Sequence, residues 1–168
     1  FSIKILDEIE KEIKIVNDKP HFPIFGGKIS SPRQYQVDAY NAWVKNNYSG
    51  IFAMATGTGK TIASLNCLLN EYLLTTKYNS IILVPTIILL NQWVSEAQKF
   101  NFKNVYSSAE RDWNQKLNSD LFLLNNGSGK NFIFITTYAT FNGKIFQGLI
   151  RFKKLYKLTL IADEVHNL

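Results

Sequence analysis

The stretch Ile51-Phe52-Ala53-Met54-Ala55-Thr56-Gly57-Thr58-Gly59-Lys60-Thr61 decides how this chain is read. A short apolar run, Ile51 to Met54, stops abruptly, and from Ile62 to Leu74 apolar residues return at helical spacing. That order predicts a strand, a glycine-rich turn and a helix. Gly57 and Gly59 let the backbone curl, so that its N–H groups converge on an anion at the helix N-terminus. Lys60 adds a positive charge for β- and γ-phosphates, and the Thr61 hydroxyl can ligate Mg²⁺. Thr56 and Thr58 complete the same loop. Met54 stands where such a loop usually opens with glycine. A surface turn that is merely rich in Gly and Thr would need neither the strand before it nor the helix after it.

Upstream, Ser31-Pro32-Arg33-Gln34-Tyr35-Gln36 leads into VDAYNAWV. Ser30 or Ser31 can cap, Pro32 suits a first turn, and Val37, Tyr40 and Val44 continue an apolar stripe, so residues 33–46 are expected to be helical. The Gln36 amide can offer an acceptor and a donor to an adenine edge. Residues 3–16, IKILDEIEKEIKIV, read as an amphipathic helix packed on the main domain or on another part of a longer protein. Residues 17–31, with Pro20, Pro23, Gly26 and Gly27, read as a connecting loop in which His21 and Phe22 are packing residues. The expected division is therefore residues 1–31, helix and linker, and residues 32–168, the main domain.

Downstream, the apolar runs Ser80–Val84 and Asn131–Thr137 are expected strands buried on both faces, as in a parallel sheet. Helices are expected at 89–100 and 110–124, a third strand at 102–107, and a short helix within 138–157. A second loop, Gly127-Ser128-Gly129-Lys130, looks like half a phosphate loop. It precedes a strand, so no helix N-terminus would face an anion there. The final run, Leu158 to Ala162, ends in Asp163-Glu164-Val165-His166. Two adjacent acids at the end of a core strand make sense beside a phosphate loop. There Asp163 can hold Mg²⁺ and Glu164 can polarise a water for attack on a γ-phosphate. Alternating strands and helices around such a loop imply an α/β fold, a parallel sheet sandwiched by helices.

The 168 residues, 46% apolar and 19% charged, suit one globular domain with a sizeable core. No run is long enough to span a membrane. Cys67 is the single cysteine, so a disulfide framework within the chain is excluded, and a reducing, cytoplasmic setting is expected. The net charge of +6 is uneven: between Asp120 and Asp163 there is no carboxylate, yet Lys130, Lys144, Arg151, Lys153, Lys154 and Lys157 lie there. Such a one-signed field suits a polyanion, although a solvated basic face would read the same way. The chain starts without Met and is read as a piece of something longer.

In sequence order, five stretches now stand together: Arg33, Tyr35 and Gln36; ATGTGKT at 55–61; VPTIILLNQW at 84–93; ITTYATF at 135–141; and DEVH at 163–166. This order resembles the first RecA-like motor domain of a superfamily-two helicase or translocase of the DEAH-related kind. It is most similar to restriction-enzyme motor subunits and DNA-repair helicases. The resemblance implies a RecA-like phosphate-loop nucleoside-triphosphatase fold, with ATP and Mg²⁺ as cofactors. Arg33 and Gln36 would read adenine, while Thr56, Gly57, Thr58, Gly59, Lys60 and Thr61 would hold phosphates. Thr61 and Asp163 would hold the metal. Glu164 would be the catalytic base, assisted by Lys60 and Asp163, and His166 would couple nucleotide state to a second RecA-like domain. Thr86, Thr136, Thr137 and Tyr138 would face the nucleic-acid backbone. DNA is favoured over RNA, with restriction or repair subunits as further partners and no membrane. The rest of the motor, with its arginine finger, would lie beyond Leu168, so this piece alone is expected to be inactive. A phosphate-loop kinase would share Lys60 and Thr61 without needing DEVH or TTYATF. An RNA helicase domain and a non-hydrolysing nucleotide- or DNA-binding module remain the alternatives.

Overall fold

Two apolar runs far apart in the chain, Ser80–Val84 and Ile133–Thr137, form the centre of the sheet because each is buried along its whole length. The computed structural model describes residues 4–8, 18–54, 59–151, 153 and 158–164. In chain order these carry β1 (Ile24–Phe25), β2 (Lys28–Ile29), α1 (Gln34–Lys45), α2 (Lys60–Thr75), β3 (Ser80–Val84), α3 (Ile87–Lys99) and β4 (Val105–Ser107). They continue with α4 (Trp113–Asn125), β5 (Ile133–Thr137), α5 (Tyr138–Phe141), α6 (Lys144–Ile150) and β6 (Thr159–Ala162). The main sheet has the order β4-β5-β3-β6, and all its pairs are parallel. Ile82 lies beside both Ile135 and Ile161, and Val84 beside Thr137, so β3, β5 and β6 end together.

Side chains alternate across this sheet and build a core on each face. On one face Ile82, Val84, Ile133 and Ile135 meet Leu65 and Leu68 of α2 and Leu90, Trp93 and Ala97 of α3. On the other face Ile81, Leu83 and Phe134 meet Leu117 and Leu121 of α4 and Phe146 of α6. Helices thus cover both sides, the expected α/β sandwich, and the architecture is RecA-like. Among the described residues no helix is long and apolar enough to cross a membrane.

Several local expectations change. The run Ile51–Met54 forms no strand. The Met54 N–H closes on the Phe52 carbonyl at 2.9 Å, which bends the run, and Ile51 is 91% exposed. Among the described residues β6 pairs with β3 alone, and its Leu160 is 57% exposed. The supposed connecting loop holds the antiparallel hairpin β1–β2, turned by Gly26 and Gly27, both at positive φ. Two-residue turns of this kind need left-handed backbone, which glycine adopts without steric cost. The linker also enters the core. Phe22 packs edge-on against Phe100 with centroids 5.2 Å apart, and the His21 N–H donates to the Phe100 carbonyl at 2.9 Å. His21 and Phe22 are packing residues, as expected. At residues 4–8 the chain is helical with Ile5 and Leu6 exposed; the rest of the expected 3–16 helix lies outside the described residues.

Cys67 is buried in α2, and desolvation, reinforced by the nearby Glu71 carboxylate, pushes its thiol up to about 12. In the unfolded chain the same thiol would ionise near its ordinary value, about 8.5. Its contribution to stability is therefore complete below that pH and is lost as pH rises toward the folded value. Iodoacetamide at pH 8 is expected to leave Cys67 unmodified in the folded protein and to label it fully once guanidinium unfolds the chain; mass spectrometry reads both.

Candidate nucleotide and nucleic-acid site

The carboxyl ends of β3, β5 and β6 open onto one edge of the sheet, where open α/β folds bind their ligands. Lys60 is the first residue of α2, which follows Gly59 at φ +86. Its ammonium donates to Glu164 Oε1 at 3.2 Å, closing an ion pair between residues 104 positions apart. Both side chains keep about a quarter of their surface exposed, so the pair is open to competition from an incoming anion. Glu164 has left-handed backbone, φ 54, which costs a non-glycine residue about 1–2 kcal/mol. Residues held in such strain commonly serve function.

Asp163 is fixed from three elements. Its N–H donates to the Leu83 carbonyl at 2.9 Å, its own carbonyl accepts from the Tyr138 hydroxyl at 2.8 Å, and its Oδ2 accepts from the Trp93 indole N–H at 2.8 Å. Burial raises the Tyr138 phenol above its usual value, and the charges of Asp163 and Glu164 add to the shift. Tyr138 therefore remains a donor. The Trp93 contact with Asp163 was not expected from the sequence, and Tyr138 was expected only to face nucleic acid. Neither contact is visible in local pattern, since 70 and 25 residues separate the partners.

Gln36 is buried in the first turn of α1, next to the loop's end. A Cβ at Gly59 would lie 3.0 Å from the Tyr35 hydroxyl and 3.6 Å from Gln36 Nε2. Space and φ together therefore require glycine at 59. The Gln36 amide has partners of its own: Oε1 accepts from the Arg33 N–H at 2.9 Å, and Nε2 lies 3.3 Å from the Tyr35 hydroxyl. To meet an adenine edge it must exchange them. Arg33, not Ser30 or Ser31, is the residue that starts α1, and its side chain is exposed.

The four residues expected to face nucleic acid separate. Thr86 is exposed, although its hydroxyl caps α3 by accepting from the Leu89 N–H at 3.2 Å. Tyr138 is half-buried. Thr137 is buried and caps α5 through the Thr140 N–H at 3.2 Å, and Thr136 is fully buried within β5. In this structure the hydroxyls of Thr136 and Thr137 are not presented to a ligand, because β5 is covered on both faces. The described basic residues after Asp120 have different surroundings. Lys130 lies with Lys77 and Lys103 around a hollow of about 320 Å³ before the sheet's amino ends. Lys144 starts α6 just past the carboxyl end of β5, and Lys153 donates to the Asn118 carbonyl and side chain. Thr56, Gly57, Thr58, Lys154, Lys157 and His166 lie outside the described residues.

A parallel sheet with helices on both faces, and a lysine at the start of a helix paired with Glu164 after the last strand, fit an α/β domain of the RecA-like class. Residues 29–168 match the family described as "Type III restriction enzyme, res subunit", and the chain belongs to that family. It is thereby a motor domain of the superfamily-two helicase kind. Among curated proteins it is similar to the DNA 3'-5' translocase XPB2 of Sulfurisphaera tokodaii, 37% identical over 93 residues, which are 55% of this chain and 19% of that protein. An uncharacterized ATP-dependent helicase of Mycoplasma pneumoniae is 32% identical over 135 residues, 74% of this chain and 13% of the relative. Another from Mycoplasma genitalium is 34% identical over 103 residues, 57% of this chain and 10% of the relative. The chain thus spans a fifth or less of each of these relatives.

Proposed function

We propose that this chain is the ATP-binding half of a motor that couples ATP hydrolysis to movement on, or unwinding of, DNA. The observation that supports this reading is the 3.2 Å approach of the Lys60 ammonium to the Glu164 carboxylate. Lys60 would hold the β- and γ-phosphates, together with the backbone of 56–59. An arriving γ-phosphate would take the Lys60 ammonium from Glu164, and the released carboxylate would orient and deprotonate the attacking water. Arg33 and Gln36 would receive the adenine once the Gln36 amide changes partners.

The donors suit Mg²⁺. Thr61 and Asp163 are hard oxygen ligands, and a carboxylate with one oxygen on the Trp93 indole has lone pairs left for a cation. Among the described residues no cluster of three acids, histidines or cysteines exists to hold a metal without nucleotide. Mg²⁺ is usually bound by one or two carboxylates plus substrate phosphates, so here it would enter with ATP. When bound, Mg²⁺ would neutralise charge on the transferring phosphoryl group. His166 would couple this site to a second RecA-like domain of the same protein. DNA would lie across the carboxyl-end face at Thr86 and Tyr138, held by its phosphates without being read. A cytoplasmic setting, and restriction or repair subunits as partners, complete the proposal.

The test is phosphate release by the full-length protein with single- and double-stranded DNA, RNA, or no nucleic acid, across a salt series. Turnover should rise with DNA, and the DNA concentration needed should climb steeply with salt, because phosphate contacts release counterions. RNA matching or exceeding DNA would give the motor the other nucleic acid. Nucleotide binding without any turnover would make it a binding module.

A further inference from the structure

We propose that Trp93 and Tyr138 are positioning residues that aim the Asp163 carboxylate at the metal, an inference that rests on Asp163 being the Mg²⁺ carboxylate. Trp93 is 1% exposed and belongs to the core that α2 and α3 form with the sheet, yet its N–H meets Asp163 Oδ2 at 2.8 Å. Tyr138 fixes the Asp163 carbonyl at 2.8 Å, and β3 fixes its N–H at 2.9 Å. With the main chain held at two points and one carboxylate oxygen held at a third, the side chain cannot turn freely about its own bonds. Oδ1 is left as the oxygen to present. A carboxylate at the end of a strand, followed by a strained residue, would otherwise sample several directions, and each would lower affinity for a cation with strict octahedral demands.

The arrangement also says where the aim can be changed. Trp93 belongs to the helix that Thr86 caps, and Tyr138 opens the helix that Thr137 caps. A shift of either helix start therefore moves a hydrogen bond on Asp163.

Partners that orient a metal ligand typically contribute about 10–100-fold in metal affinity. Trp93→Phe keeps an aromatic ring in the core and removes only the bicyclic edge with its N–H; Tyr138→Phe removes one hydroxyl. Mn²⁺ binding to the full-length protein with a non-hydrolysable ATP analogue can be followed by electron paramagnetic resonance. Analogue affinity without metal and the thermal midpoint are measured alongside. Trp93→Phe should weaken Mn²⁺ by about 10–100-fold, and Tyr138→Phe by less in the same direction, with metal-free analogue affinity unchanged. A packing role alone would lower the midpoint and both affinities together. Mn²⁺ affinity in Trp93→Phe within about two-fold of the parent would overturn the proposal while leaving the nucleotide site standing. If Trp93→Phe does not fold, unchanged Mn²⁺ affinity in Tyr138→Phe overturns it. A parent protein that binds no Mn²⁺ with the analogue would remove the nucleotide reading and this one with it.

Discussion

Glu164→Gln in the full-length protein is expected to bind ATP at least as tightly as the parent and to release phosphate about 10²- to 10⁴-fold more slowly. The loss follows from replacing a carboxylate that can take a proton by an amide that cannot. The gain in binding follows from the ion pair. Lys60 is held by Glu164 at 3.2 Å, so phosphate has to compete with a carboxylate for the same ammonium. The substituted side chain would compete far less well, because a neutral amide lacks the charge that shortens and strengthens such bonds. Calorimetry with MgATP and a phosphate-release assay separate the two effects. If nucleotide binding fell in step with turnover, Glu164 would belong to the metal shell and the base would be another group.

Lys60→Ala should weaken nucleotide binding by about 2–5 kcal/mol, the usual cost of truncating one partner of a hydrogen-bonded charge pair, or roughly thirty- to several-thousand-fold. It removes the cation that faces the phosphates and leaves Glu164 to repel them. The fold should survive, since the pair keeps solvent contact and Lys60 stands at a helix end. Circular dichroism controls for folding, and calorimetry with an ATP analogue and Mg²⁺ gives the affinity. Equal affinities would mean that the loop at 56–61 is not the phosphate site.

Much of the architecture was legible because it rests on short-range chemistry. A short unbroken apolar run bounded by turn residues, such as Ser80–Val84, reads as a strand covered on both sides, and the helices between such runs show their buried stripe every three or four residues. The approach of Lys60 to Glu164 could be expected from the loop and acid motifs taken together. What escaped depended on side chains meeting across the sheet. The Trp93 indole on Asp163 and the Tyr138 hydroxyl on its carbonyl leave no periodic trace. For Thr136 and Thr137 two expectations compete, a strand buried on both faces and, from the family resemblance, a nucleic-acid contact; β5 is buried along its length. Ile51–Met54 has the composition of a strand and forms none, which shows that apolar content supplies an opportunity for pairing, not a partner. The Gly26-Gly27 turn, by contrast, was readable: glycines between Ile24-Phe25 and Lys28-Ile29 carry a hairpin signature that the prolines nearby obscured.

The contact between Phe22 and Phe100 bears on how this motor could be exchanged between proteins. Motif order alone would put the seam for recombination at residue 31 or 32, just ahead of Arg33. The clasp crosses that seam: Phe22 covers Phe100, the His21 N–H caps the Phe100 carbonyl, and Asn101 Nδ2 reaches the Lys19 carbonyl at 3.0 Å. A transplanted unit cut at 32 would leave behind an aromatic plug and bare a hydrophobic socket at the end of α3. The clasp formed by Lys19, His21 and Phe22 therefore has to travel with the domain whose α3 end it covers.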